Sequence, residues 1–286
     1  MSSKNCPVCF SNETQLFTEV AGMLYYTCNF CEVIFISPEV LAQIDAGKGI
    51  INYTENYWKE ELSAARERSW GSALARVAEV FLYARIPIKK FIDIGTGPGY
   101  LLDAIQFHLP SSADIFYGNE IFPPPGEYCT SSKNYLKGRL REFEFTFDAG
   151  SCIEVIEHLT PAMVRTLFND LAIQSKANSI YIFNTGLSQY IKNENINYLD
   201  PYVRGHIMGW SLKGLQTLTK SSGFRILSIP GKAWAFIAEY RPDHNLEKNL
   251  TDRIWRALPE NTNVLKDKKT GELLYILGLD TARAYV

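Results

Sequence analysis

Several broad classes of protein are excluded by what this sequence lacks. No apolar run approaches the roughly 18–20 residues that a bilayer-spanning helix needs, so a membrane-spanning chain is not expected. The opening residues, Met1-Ser-Ser-Lys-Asn-Cys6, hold no apolar stretch of the secretory kind, and a cytoplasmic location is expected. Charge of one sign is not in excess. Lys and Arg number 29 against 31 Asp and Glu, a net charge of −2, and no segment is rich in Lys and Arg. A surface for nucleic acid or anionic lipid would need such an excess, so both are disfavoured as partners. There is no internal repeat and no low-complexity tract. What remains is an ordinary globular composition, 46% hydrophobic and 21% charged. At roughly 150 residues per domain, the length points to two domains, or to one large domain with an appendage.

Cysteine is sparse but unevenly placed. Four of the six cysteines fall in the first 31 residues, as Cys6-Pro-Val-Cys9 and Cys28-Asn-Phe-Cys31, with eighteen residues between the pairs. Two Cys-x-x-Cys turns at that separation are a zinc-ribbon pattern. Each turn aims two thiolates at one point, and two turns complete a tetrahedral sulfur site. In a reducing compartment disulfides are disfavoured, and a redox Cys-x-x-Cys would stand singly beside a βαβ unit. Four protein ligands leave no open position, so the expected zinc is structural. Cys129 and Cys152 lie far away and are expected to pack as small apolar residues.

Along the chain, residues 1–40 form the expected ribbon. Thr18-Glu-Val20 and Leu24-Tyr-Tyr-Thr27 read as strands around Ala21-Gly22, and Val33-Ile-Phe-Ile36 as a third. Residues 41–57 read as a linker with one helical turn. From Glu55 to Arg85, Leu62, Ala65, Trp70, Leu74, Val77, Val80 and Phe81 recur at helical intervals until Pro87. Strands are then expected at Lys90–Ile94, Asp114–Gly118, Phe147–Ile153, Ser179–Asn184, Phe224–Ile229 and Ala233–Tyr240. Helices lie between them, one running from Leu212 to Ser222 and capped by Gly223. Alternating strands and helices imply a mostly parallel sheet with helices on both faces. The last two strands, separated by Pro230-Gly-Lys232, must pair antiparallel or sit apart. Residues 124–146 resist parsing as a strand and a helix. The tail 241–286 is charged, with one helix over Leu250–Leu258 and a hairpin around Lys269-Thr-Gly271.

Phe91-Ile-Asp-Ile-Gly95-Thr-Gly97-Pro-Gly99 is the most informative stretch. A strand feeding a glycine turn and then a helix lets backbone approach a nucleotide-like ligand. The dinucleotide motif is G-x-G-x-x-G, but here the third glycine comes one residue early, and no Lys-Ser/Thr follows to make a P-loop. Asp93, two residues before the first glycine, would repel a pyrophosphate and suit a cationic or amino group. Glu120 follows Gly99 by 21 residues, just past the second strand, where a carboxylate can hold the two hydroxyls of a ribose.

This stretch resembles the first motif of the class I S-adenosylmethionine-dependent methyltransferases, and Glu120 matches their ribose-binding acid. The likeness extends over residues 55–240. Glu154-Val-Ile-Glu157-His158-Leu is similar to the fourth-strand motif of the ubiquinone and sugar-modifying branch. Gly205-His206-Ile-Met-Gly-Trp-Ser211 with Ser222-Gly-Phe224 is similar to a stretch before that branch's last two strands. The ribbon followed by Tyr53-Thr-Glu-Asn-Tyr57-Trp58 resembles the zinc module of some sugar and natural-product methyltransferases. The resemblance implies a Rossmann-like, seven-stranded α/β sheet with helices on both faces, over residues 58–240. It further implies that Gly95, Thr96, Gly97 and Gly99 pass the cofactor, that Asp93 lies near its amino-acid end, that Glu120 holds its ribose, and that Glu154 faces its reactive end.

Glu154, Glu157, His158 and His206 are open to more than one reading. Small-RNA terminal 2′-O-methyltransferases carry a similar Glu-x-x-Glu-His and a distant histidine, which bind a divalent metal there. Mixed imidazole and carboxylate ligands would suit manganese, iron or zinc better than magnesium. Relatives without a metal use the acid and histidine to shape the acceptor pocket, and His158, His206 or Glu157 would then act in catalysis. Packing is the third reading. Tyr181, Tyr190, Tyr198, Tyr202 and Trp210 are expected near the same edge, as acceptor-stacking surface or as core. The expected function is methyl transfer from S-adenosylmethionine to a small-molecule acceptor: a sugar, nucleotide-sugar or natural-product intermediate. A metal-assisted RNA 2′-O-methyltransferase is one alternative, and a non-catalytic zinc-ribbon binding protein on a methyltransferase-like scaffold is another.

Overall fold

A computed structural model describes residues 4–50, 55–243, 249–268, 270 and 272–283. The chain begins with strands β1 (Thr14–Val20), β2 (Met23–Cys28) and β3 (Ile34–Ile36). Ala21 and Gly22, at φ of 50° and 80°, make the two-residue turn that the twist of a β1–β2 hairpin favours, and Val20 pairs with Met23 across it. Helix α1 (Pro38–Asp45) runs from the end of the expected ribbon into the expected linker. Pro38 stands in its first turn and Gly47 follows it in left-handed conformation, the usual start and stop residues.

The long helical pattern expected from Glu55 to Arg85 is divided in two, α2 (Glu55–Trp70) and α3 (Ser72–Tyr83). Gly71 sits at the break with φ −122° and ψ −99°, a conformation costly for a residue with a Cβ. From Ala73 to Tyr83 every residue of α3 is buried, including Arg76 and Glu79. Glu79 is ion-paired with both Arg76 and Lys232, and the Lys232 and Glu79 side chains have no exposure. Removing one member of such a set strands the others in a poor solvent. Glu79→Ala is therefore expected to cost about 3–5 kcal/mol of stability, or roughly 10 °C in melting temperature. A loss under 1 kcal/mol by thermal or denaturant unfolding would contradict the pairing.

Then follow β4 (Phe91–Ile94), α4 (Tyr100–His108), β5 (Phe116–Glu120), β6 (Tyr135–Lys137), β7 (Phe147–Ile153), α5 (Pro161–Ile173), β8 (Ser175–Asn184) and α6 (Ser188–Asn193). After these come β9 (Met208–Gly209), α7 (Leu212–Thr219), β10 (Phe224–Ser228) and β11 (Ala235–Tyr240). The main sheet has seven strands in the order β10-β11-β8-β7-β4-β5-β6. β11 runs antiparallel to both β8 and β10, and the pairs from β8 to β6 are parallel. The strand order reverses beside β4, where an open α/β sheet leaves a crevice at its carboxyl edge.

Residues 124–146 yield only a three-residue strand and short 3-10 turns, with no helix between β5 and β7. That is why the sequence there shows no periodicity. β5 starts at Phe116, two residues later than expected, because Ala113–Ile115 form a 3-10 turn. Among its described residues the tail forms three helices, α8 (Leu250–Trp255), α9 (Pro259–Leu265) and α10 (Leu273–Arg283). Of the expected hairpin, Lys269 and Gly271 lie outside the described residues. α10 packs so tightly on α3 that a Cβ on Gly278 would come 2.9 Å from the Ala78 Cβ. Leu250, Ile254, Leu265 and Leu274 join α3, α4 and one face of the sheet in a common apolar core. The opposite core runs from the sheet through Phe168, Phe183 and Trp210 to Tyr25, Phe35, Cys6 and Cys31 of the ribbon without interruption.

Candidate cofactor and acceptor site

The glycine turn leaves β4 at the strand-order reversal. Gly95, Gly97 and Gly99 all have positive φ (67°, 57° and 82°). At Gly95 the need is double, since a Cβ there would lie 2.6 Å from Val155 Cγ2. The amides of Gly95 and Thr96 both donate to the Asn119 carbonyl, at 2.9 and 3.0 Å, which fastens the turn to the end of β5. One carboxylate oxygen of Glu120 accepts from the Gly97 amide at 2.8 Å and the other from the Phe122 amide at 2.9 Å. The Tyr135 hydroxyl donates to the Gly97 carbonyl at 2.6 Å, so β6 braces the same residue from its other side. Trp58 of α2 stacks over the turn, 3.7 Å from where a Gly97 Cβ would stand.

Asp93 lies buried beneath the turn and accepts from the Ser151 hydroxyl at 2.7 Å. Burial pushes its carboxyl up to about 6, against the pull of hydroxyl hydrogen bonds, and the charge of Glu120 adds to the rise. Burial also raises Glu120, opposed by the Phe122 and Gly97 amides. Two carboxylates and three glycines thus frame the amino end of α4. A phosphate meets repulsion here, whereas a ribose and a cationic amino-acid chain find acceptors. Among the residues assigned to the cofactor, Asp93, Gly95, Thr96, Gly97, Gly99 and Glu120 come together.

The second group stands past the end of β7. Glu154 has φ of 54°, a conformation rare outside glycine, and is followed by a 3-10 turn over Ile156–His158. Asn184 at the end of β8 donates to Glu154 at 2.8 Å and is itself held by Arg76 at 3.1 Å. Burial, then the neighbouring Glu157 charge, pushes the Glu154 carboxyl up to about 8, so it keeps its proton at neutral pH. The Tyr198 hydroxyl donates to Glu157 Oε1 at 3.0 Å. Glu157 Oε2 is buried and receives no hydrogen bond from an amide or hydroxyl donor among the described residues.

His206 arrives from the loop before β9. Its Nδ1 lies 2.7 Å from the Tyr198 carbonyl, and His158 Nδ1 lies 3.2 Å from the Gly205 carbonyl. A carbonyl only accepts, so each Nδ1 carries the proton and each Nε2 keeps its lone pair. His206 Nε2 is 3.9 Å from Glu157 Oε1, and the two imidazole centroids are 4.9 Å apart. Burial lowers both histidines; His206, further depressed by His158, falls to about 3. Glu157, His158 and His206 each place one potential ligand atom within 4.8 Å of the others, a set that does not include Glu154.

Tyr198 is the residue whose role sequence reasoning missed, although it stood among the aromatics expected at this edge. Its hydroxyl grips Glu157 and receives the Gly186 amide at 2.8 Å, and its carbonyl fixes His206. Nothing local sets it apart from fifteen other tyrosines. In the amino-terminal ribbon, Cys6, Cys9, Cys28 and Cys31 offer sulfur atoms that all lie within 4.8 Å of one another. Cys6 and Cys31 are 3.5 Å apart, and Cys9 and Cys28 3.6 Å. Four sulfurs at 2.3 Å around one zinc stand about 3.8 Å apart, so the cluster fits a tetrahedral ion.

No protein-family model matches the sequence, and no curated protein matches it. Solved structures do share the fold. A candidate O-methyltransferase from Nostoc punctiforme aligns with a TM-score of 0.50 and 14% identity, over 71% of this chain and 70% of that one. Human N-acetylserotonin methyltransferase in complex with S-adenosylmethionine gives 0.49 and 14%, over 72% and 60%. An amino pentose methyltransferase of calicheamicin biosynthesis from Micromonospora echinaspora gives 0.48 and 17%, over 66% and 98%. The chain has a methyltransferase fold: a seven-stranded mixed sheet flanked by helices, with a four-cysteine cluster at its amino-terminal end.

Proposed function

We propose that the protein transfers a methyl group from S-adenosylmethionine to a small-molecule acceptor: a sugar, nucleotide-sugar or natural-product intermediate. The observation that carries this reading is the Glu120 carboxylate bonded to the Gly97 amide above the buried Asp93, at the switch point of this sheet. Glu120 would hold the ribose hydroxyls, the backbone from Gly95 to Gly99 would pass the cofactor, and Asp93 would face its ammonium group. When bound, the cofactor supplies a methyl group on a sulfonium that leaves as a neutral thioether as the acceptor–carbon bond forms.

The chain's own part is positioning and proton removal. Glu157, its carboxyl made more basic by burial, takes the proton of an acceptor hydroxyl. His206 and His158 are neutral, and their Nε2 lone pairs can accept from further hydroxyl or amino groups of the acceptor. Both imidazoles are held at Nδ1 by carbonyls, as metal-ligating histidines commonly are. Glu157, His158 and His206 therefore also suit a divalent transition ion, which would acidify the acceptor hydroxyl. A structural zinc on the four cysteines completes the reading. A net charge of −2 and the burial of Glu157 and His206 favour a small acceptor over RNA. The test is transfer of labelled methyl from S-adenosylmethionine to a panel of amino sugars, nucleotide-sugars and phenols, with 3′-hydroxyl RNA as the rival. Labelling of RNA alone would overturn the small-molecule reading.

The Asp93 carboxyl gives a pH signature. Its folded value, about 6, stands above the ordinary one near 4, so the protonated form is favoured on folding. Its contribution to stability without cofactor is full below about pH 4 and lost as pH rises through about 6. A cationic ligand requires the ionised form, so its affinity runs the other way. Cofactor affinity is expected to fall by up to about tenfold per unit below pH 6, with Asp93→Asn flat and weaker near neutral pH. A dissociation constant independent of pH in the unaltered protein would remove Asp93 from the site.

A further inference from the structure

The four-cysteine module reaches the acceptor site through backbone hydrogen bonds. β9 is the fourth strand of the ribbon sheet, whose order is β1-β2-β3-β9. It pairs antiparallel with β3, Ile34 opposite Gly209 and Phe35 opposite Met208. β9 begins two residues after His206. Ile207 lies between the two halves of the molecule: its carbonyl accepts from the Ile36 amide of the ribbon at 3.0 Å, and its amide donates to the Glu157 carbonyl at 2.9 Å. On β2, the hydroxyl of the wholly buried Tyr25 donates to the His206 carbonyl at 2.7 Å. Ser211, which caps α7, donates its hydroxyl to the Cys31 carbonyl.

His206 is thus held at three points, one of them its amide, which donates to the Asp200 carbonyl at 3.0 Å. Tyr198 fixes its ring at Nδ1, and Tyr25 fixes its main chain. Burial keeps the Tyr25 hydroxyl protonated and therefore a donor. The Tyr25 ring belongs to the core that runs unbroken from the cysteines to the main sheet, so the hydroxyl cannot follow His206 if that loop moves.

We infer that Tyr25 is a positioning residue for His206, and that through it and the β3–β9 pairing the ribbon sets where the His206 imidazole stands relative to Glu157 and His158. The inference rests on the acceptor role proposed above for that site. It gives the ribbon a part in methyl transfer that a tethered stabilising module would not have.

Tyr25→Phe in the full-length protein removes one hydroxyl and keeps the ring. The chain has only four histidines, His108, His158, His206 and His244, so their imidazole nitrogens are separately assignable by nuclear magnetic resonance. The His206 and His158 signals are expected to shift while His108 stays. Turnover is expected to fall roughly tenfold, with the S-adenosylmethionine dissociation constant within about twofold of the original. Ser211→Ala, which cuts a different link between the ribbon and α7, is expected to lower the melting temperature and leave the His206 signals in place. Two results would overturn the inference: a Tyr25→Phe protein with unmoved His206 signals and full turnover, or a Ser211→Ala protein whose His206 signals move as far as those of Tyr25→Phe. Absence of S-adenosylmethionine binding in the unaltered protein would count against methyl transfer instead, and the imidazole signals would still decide the role of Tyr25.

Discussion

Replacing Glu120 by alanine is expected to weaken S-adenosylmethionine binding by roughly a hundredfold or more. The carboxylate has two tasks, and alanine ends both. In the unliganded protein it closes the glycine turn by accepting from the Gly97 and Phe122 amides. In the complex it would accept from two ribose hydroxyls, each a charge-assisted hydrogen bond of about 1.5–3 kcal/mol. Without it the Gly97 amide loses its partner and the turn loses one of its anchors; the Asn119 carbonyl and the Tyr135 hydroxyl remain. Glu120→Gln keeps the shape and loses the charge, and is expected to fall between. The measurement is calorimetric, with the melting temperature as control, since a carboxyl raised by burial is no great stabiliser of the fold. Affinity unchanged in Glu120→Ala would mean that the ribose lies elsewhere.

The second large effect is expected in the turn after β7. Glu157→Gln should lower turnover by about a hundred- to ten-thousandfold while leaving cofactor affinity within about threefold. Glutamine fits the same space and still accepts from the Tyr198 hydroxyl, but it cannot take a proton and is a poor metal ligand. His206→Ala is expected to lose nearly as much, because the ring that stands 3.9 Å from Glu157 is removed and the Tyr198 carbonyl loses its donor. If the two groups act as a unit, the double variant will be little worse than either single one. Metal analysis of the same proteins separates the two mechanisms. A second metal equivalent, present in the unaltered protein and absent in His206→Ala, would favour the divalent ion over proton transfer to Glu157. Turnover that survives in Glu157→Gln would make the cluster a packing feature.

What the sequence disclosed follows from the range of each interaction. The four cysteines, the glycine turn and the antiparallel β10–β11 pair were legible because their chemistry is local: a fixed spacing, a strand with a turn, a connection too short for a crossover. The break at Gly71 was hidden by apolar periodicity that runs past it. The tail read as charged, with one helix and a hairpin, yet Leu250, Ile254, Leu265 and Leu274 are buried against α3, whose residues lie well over a hundred positions away in the chain. For the same reason Glu157, His158 and His206 could be named as candidates and Tyr198 only as one of several aromatics at that edge, whereas Tyr25 could not be named. Their importance lies in which carbonyl or carboxylate each hydroxyl meets, and that is settled only once β9 joins the ribbon sheet.

The central claim, that the glycine turn and Glu120 form a site for S-adenosylmethionine, is tested most directly by calorimetric titration. The purified protein is titrated with S-adenosylmethionine and with its demethylated product, and with NAD as control. Micromolar binding of the first two and none of NAD is the expected result. Binding of neither would contradict the claim, and the four-cysteine ribbon on a methyltransferase-like scaffold would then be the functional part of the molecule.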